Sequence, residues 1–203
     1  HSDSSAASDV YKRQVKECAE EMLSITVQDY QTRRLKVFGT RPYKNTRDDV
    51  EFILCDGEQH LLRCFLDYWI QNFPDILTGW NVDGYDVPYI CGRLERLFGE
   101  KEMKLMSPWG HVKREEIEVK GREQIFYRMS GINVIDYLDL YKKFTYTNQE
   151  SYRLDHIAFV ELGQRKVDHN EFENFKDFYT KDWQKFIDYN IVDVELVSRL
   201  EEK

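Results

Sequence analysis

PDILTGWNVDGYDVPYICGRLERLFGE, residues 74–100, is the stretch whose reading decides the fold. A short apolar run, Ile76 and Leu77, leads through a glycine-containing bend into an amphipathic segment. Val87, Ile90, Leu94, Leu97 and Phe98 recur at three- and four-residue steps, which predicts a helix over 86–98 with Gly99 as its stop. Pro88 falls in the first turn, where a missing N–H costs little. Asn81 and Asp86 are thereby placed at a strand-to-helix junction, where α/β proteins tend to hold ligands. On local pattern Asp86 has two readings: an N-cap that accepts the first backbone N–H groups of the helix, or a ligand.

Working outward, strands and helices alternate. Upstream, residues 22–40 read as a hairpin or two adjacent strands, and 50–55 as another short strand. Leu61, Leu62, Phe65, Leu66, Trp69 and Ile70 then predict a helix over 58–73. Downstream, 117–119 and 124–127 flank a Lys120-Gly121 turn and predict a β-hairpin, with Lys113, Arg114 and Arg122 on or beside it. Residues 132–135 read as a buried strand running into a helix from near Asp136, 151–162 as a further helix and 163–174 as a loop. The last helix, 183–200, places Phe186, Asn190, Asp193, Val197 and Leu200 on one stripe, with Tyr189 one turn before Asp193. A carboxylate on such a stripe is costly unless paired, protonated or bound to metal. Asp193 therefore reads either as a metal ligand or as a salt-bridged core residue. The alternation as a whole predicts an α/β fold, a mixed sheet flanked by helices.

Composition narrows the function. The chain has 203 residues, 33% charged and 14% aromatic, which suits one globular domain with a sizeable core. A formal net charge of −8 argues against holding nucleic acid by bulk electrostatics, yet it suits an enzyme whose carboxylates hold cations. No apolar run approaches the ~20 residues of a membrane span, so no membrane role is expected. Cys18, Cys55, Cys64 and Cys91 form no C-x-x-C pair and read as reduced thiols without a partnering His cluster; neither zinc nor a disulfide is expected. Residues 1–14 are small, polar and aperiodic, and SSAASDVYKRQ, residues 4–14, resembles the conceptual translation of a transposon-type sequencing adapter. They are set aside as a tail, leaving 15–203 as the domain.

GWNVDGYDVPYI, residues 79–90, resembles the second exonuclease motif of family B DNA polymerases, and YNIVD, residues 189–193, the Y-x-x-x-D form of the third. Between them, GINVIDYLDLYKKFTYTNQESYRLDHI, residues 131–157, is similar to the corresponding segment in polymerases of T-even-like bacteriophages. The resemblance implies a proofreading 3′→5′ exonuclease domain with an RNase H-like (DnaQ-like) fold, in which four acidic residues hold two divalent cations, Mg²⁺ or Mn²⁺. It makes Asp86 and Asp193 metal carboxylates, with a cation expected between them, and Tyr189 the hydroxyl that orients the attacking water. Asn81 would lie near the terminal nucleotide. A histidine-type third motif is disfavoured because Asp188 stands five residues before Asp193. Lys113, Arg114 and Arg122 would contact DNA phosphates, with Tyr141, Phe144, Tyr146 and Tyr152 offering stacking surfaces.

The family's first motif, D-x-E on a strand before the segment matching 22–30, has no counterpart here. The sequence thus reads as an internal fragment of a replicative polymerase lacking its first strand, with little activity alone. Implied partners are the single-stranded primer 3′ end, the parent's polymerase domains and a sliding clamp, in the host cytoplasm. Two other readings stay open: a stand-alone exonuclease of the same superfamily, and a non-catalytic nucleic-acid-binding domain.

Overall fold

A computed structural model describes residues 18–163 and 175–203; the tail and most of the expected loop at 163–174 lie outside the described residues. The chain divides into two compact units, one holding residues up to Met22 with Phe65–Asp139, the other Leu23–Cys64 with Leu140–Lys203.

In the second unit, β1 (Ser24–Gln28) and β2 (Leu35–Gly39) form the antiparallel hairpin expected from the sequence. Asp29 closes its turn, Oδ1 accepting from the N–H groups of Gln31 at 2.9 Å and Thr32 at 2.8 Å. β3 (Val50–Leu54) runs parallel to β2 on its far side. The intervening loop is fastened to the last helix. Arg47 bridges Asp49 and Glu195, the Tyr43 hydroxyl donates to Asp188, and the Lys44 N–H donates to Gln184.

That last helix (α7, Trp183–Glu201) matches its expected span because its start is capped: Asp182 accepts from the Lys185 N–H at 3.1 Å. Trp183, Ile187 and Ile191 press onto Leu35, Val37 and Val50 of the sheet. This face lies beside the stripe expected from the sequence. Leu35 and Val37 are almost wholly buried, and the helix turns its most continuous apolar row toward them. On the expected stripe, Val197 and Leu200 are buried as well, and Phe186 packs against the same cluster. Helices α5 (Leu154–Leu162) and α6 (Phe175–Lys181) pack along α7.

In the first unit, β4 (Ile76–Gly79) pairs in parallel with β7 (Asn133–Asp136), Gly79 opposite Asp136. Helix α2 (Val87–Phe98) buries Cys91 and Leu94 completely and packs on the hairpin of β5 (Val112–Val119) and β6 (Arg122–Met129). The hairpin is longer than expected, and its turn residues Lys120 and Gly121 both have positive φ, the twist that tight hairpins favour. A short helix α3 (Glu100–Met103) and a 3₁₀ turn follow α2, where the Met106 carbonyl accepts from the Trp69 indole at 2.8 Å. Helices α1 (Glu58–Gln71) and α4 (Tyr137–Phe144) contribute to both units.

The chain is mixed α/β as expected, but its described strands form three sheets: a three-stranded mixed sheet, a parallel pair and a hairpin. β1 and β4 each pair along one edge among the described residues. No described helix is long and apolar enough to cross a membrane.

Candidate active site

The junction after β4 is built differently from a capped helix start. Asn81 adopts the left-handed region (φ 58°), and Val82–Asp86 form one π-helical turn that runs directly into α2. Such turns are frequent at functional sites. The Tyr85 N–H donates to the Asn81 carbonyl at 2.9 Å, and the Val87 N–H to the Val82 carbonyl. Those donors are therefore satisfied by backbone, and Asp86, with helical backbone angles, makes no side-chain capping bond. The N-cap reading of Asp86 is thus corrected; its side chain is exposed. Gly84 leaves room for the Asn81 and Gln124 side chains, since a Cβ there would meet Asn81 Oδ1 at 2.6 Å and Gln124 Nε2 at 3.0 Å.

Two buried carboxylates that the sequence reading did not single out hold this turn. Asp136, at the end of β7, accepts from the Asn81 N–H at 2.9 Å and the Leu138 N–H at 3.0 Å through Oδ1, and from the Asp83 N–H at 3.1 Å through Oδ2. Burial pushes its carboxyl up to about 6, outweighing the backbone donors that pull it down. Asp83 accepts from Arg128 at 3.0 Å through Oδ2, while its buried Oδ1 accepts no hydrogen bond. Burial raises Asp83 as well, Arg128 opposing it. Asn81, Asp83, Gly84, Gln124, Phe126 and Asp136 line a cleft of about 240 Å³. The available signal for Asp136 was its place at a strand-to-helix junction; for Asp83 and Arg128, far apart in the chain, there was none.

The hairpin separates the expected basic residues. Strand alternation and register put Lys113 and Arg122 on one face, with Arg128, and Arg114 on the other, with Tyr127 and Met129 opposite its strand positions. Lys113 pairs with Glu115 at 3.4 Å and Arg114 with Glu116 at 3.0 Å. The Arg128 guanidinium sits 4.5 Å over the Phe126 ring.

In the second unit, Tyr189 is buried on α7, its ring meeting Phe178 edge-on at 5.7 Å. Asp193, one turn later, is half-buried, with Oδ1 fully covered. Between them Asn190 donates to Ser24 at 3.1 Å, tying α7 to β1. Among the expected stacking residues, Tyr141 packs edge-on against Tyr152 and donates to Glu161, whereas Phe144 and Tyr146 are exposed. Asn81, Asp86 and the basic residues belong to the first unit, Tyr189 and Asp193 to the second.

The expectation of cysteines without a histidine partner is corrected. One ligand atom each from Cys55, His60 and Cys64 lies within 4.8 Å of the others. The C-x₄-H-x₃-C spacing escapes the usual zinc patterns, because Cys55 precedes α1 while His60 and Cys64 lie one turn apart on it.

Residues 4–157 match the family model described as DNA polymerase family B, exonuclease domain. The chain is 38% identical over 156 residues to the DNA-directed DNA polymerase of Escherichia phage RB69, covering 77% of this chain and 17% of that protein. It is likewise 38% identical over 154 residues to that of Enterobacteria phage T4, covering 76% and 17%. A DNA polymerase of Choristoneura fumiferana nuclear polyhedrosis virus is 28% identical over 155 residues, covering 73% and 15%. The chain thus spans about one sixth of the length of these relatives.

Proposed function

This chain belongs to the exonuclease domain of DNA polymerase family B, and from that premise we propose that it is the proofreading 3′→5′ exonuclease portion of a phage-type replicative DNA polymerase. The observation that carries the reading is the pair of motifs: Asp86, the exposed last residue of the π turn that enters α2, and Tyr189 with Asp193 one turn apart on α7.

Asp86 and Asp193 offer hard carboxylate oxygens, a donor chemistry that fits Mg²⁺ or Mn²⁺. When bound, two such cations supply a hydroxide-like nucleophile and take up charge on the leaving 3′-oxygen. The chain's own residues do the rest. Asp86 and Asp193 would hold the ions, and the Tyr189 hydroxyl would fix the direction of the attacking water. Asn81, whose backbone N–H is tied to Asp136, positions the terminal nucleotide. Lys113 and Arg122, sharing one face of the hairpin, contact phosphates of a single strand. Arg114, on the opposite face, is the weaker member of that set.

The RNase H-like arrangement is part of the same proposal. A D-x-E strand supplied ahead of this segment would add along the edge of β1 that is unpaired among the described residues and bring two further carboxylates, so its addition should raise cleavage. The partners that follow are the primer 3′ end, the polymerase domains of a parent chain and a sliding clamp, in the host cytoplasm.

A 3′-labelled single-stranded oligonucleotide with Mg²⁺ tests this. The chain alone should release little labelled nucleotide, and a version carrying an upstream D-x-E strand should trim efficiently. Asp193→Ala or Asp86→Ala in that version should abolish trimming. Full activity in either substituted protein defeats the assignment.

A further inference from the structure

We infer that Cys55, His60 and Cys64 form a binding site for a soft divalent metal, Zn²⁺ by chemical class, separate from the carboxylates assigned to catalysis. All three residues belong to the second unit. Two sulfurs and an imidazole nitrogen are the donor set of zinc, and Mg²⁺, which seeks oxygen, is rejected by it.

The backbone around the three side chains is already set. The Cys55 N–H donates to the Gly39 carbonyl at 2.8 Å, extending the β2–β3 ladder by one residue. Gly57, with φ of 88°, reverses the chain into α1, where the Leu61 N–H donates to the Gly57 carbonyl at 3.0 Å. Helical spacing then puts His60 and Cys64 on one face, one turn apart. The Cys55 thiol donates to the Ile53 carbonyl at 3.7 Å. A tetrahedral centre with bonds of about 2.0–2.3 Å holds its donors about 3.5–4 Å apart. With all three atoms within 4.8 Å of one another, loading needs a contraction of at most about 1 Å, within reach of side-chain rotation.

The imidazole carries a switch that marks loading. The Asp56 N–H donates to His60 Nδ1 at 2.7 Å, so that nitrogen's lone pair is engaged and the ring proton sits on Nε2. A metal at Nδ1 displaces the Asp56 N–H directly. A metal at Nε2 sends the ring proton to Nδ1, which then repels the same N–H. Either way the Asp56 amide loses its acceptor, and the two S–H protons leave to solvent as the thiolates bind. Cys55 is buried while His60 is exposed, leaving the fourth position to water. The ion would tie the end of β3 to the start of α1.

The test is a Co²⁺ titration of the reduced, chelator-treated 203-residue chain. A thiolate-to-cobalt charge-transfer absorption should saturate at one equivalent, disappear on adding Zn²⁺, and survive a large excess of Mg²⁺. Cys64→Ser and Cys55→Ser should remove it; Cys18→Ser and Cys91→Ser should not. His60→Ala, at an exposed position, should keep the far-ultraviolet circular dichroism and weaken binding at least about tenfold, the least expected when a ligand rather than its outer-shell partner is lost. The Asp56 amide resonance should move on Zn²⁺ addition. Absence of the absorption, or its persistence in Cys64→Ser, overturns the site. Because the readout is thiolate absorption and not cleavage, it stands or falls independently of the exonuclease reading.

Discussion

At the scale of single residues, Asp86 and Asp193 could be proposed from the sequence because each belongs to a short motif whose members are neighbours in the chain. Asp136 was not, because what distinguishes it is a set of contacts with a loop more than fifty residues earlier. Its carboxylate takes three backbone N–H groups, and two of them belong to the turn that presents Asn81 and leads to Asp86. Burial still dominates its titration. A carboxyl raised from 3.8 to about 6 on folding contributes stability that is fully present below pH 3.8 and is lost as pH rises through 6. Asn at this position cannot titrate. Urea unfolding from pH 3.5 to 7 should therefore show the stability of the natural chain falling relative to Asp136→Asn as pH rises. A constant difference across that range would mean that the carboxyl does not change its proton affinity on folding.

At the scale of elements, the boundaries of α7 were readable because capping and apolar period are both local. Which of its faces meets the sheet was not readable, since two adjacent apolar rows compete for it. The sheet decides: Leu35, Val37 and Val50 present an apolar face, and Trp183, Ile187 and Ile191 cover it. Ile187→Ala should accordingly cost about 2–5 kcal/mol, as large-to-small changes in a packed core do. Asp182→Ala, which removes only the cap accepting from Lys185, should cost about 1 kcal/mol. Chemical denaturation of the two variants measures both; equal losses would mean that Ile187 does not anchor the helix to the sheet. The π turn at Val82–Asp86 belongs to the same lesson. Local pattern suggested a capped helix start, whereas Asp136 anchors a wider π turn there through the Asn81 and Asp83 N–H groups.

At the scale of the whole molecule, ligand binding and strand completion should appear together in stability. If an upstream D-x-E strand adds to β1 and completes the carboxylate set, Mn²⁺ should stabilise the extended protein far more than the 203-residue chain. At a metal concentration near 100 times Kd the gain is about 2.7 kcal/mol by mass action, readable as a shift in the unfolding midpoint. An equal shift in both proteins would place the metal elsewhere, the thiol cluster included, and Cys64→Ser would then separate the two sites. The sequence by itself determined the element types and the family, because periodicity, caps and motif spacing act between residues close along the chain. Only the tertiary structure decided that Asp136 braces the π turn, that Lys113 shares a hairpin face with Arg122 and Arg128, and that Cys55 meets His60 and Cys64. Those meetings depend on strand register and on the packing of segments brought together by folding, and both are set by burial summed over the whole core.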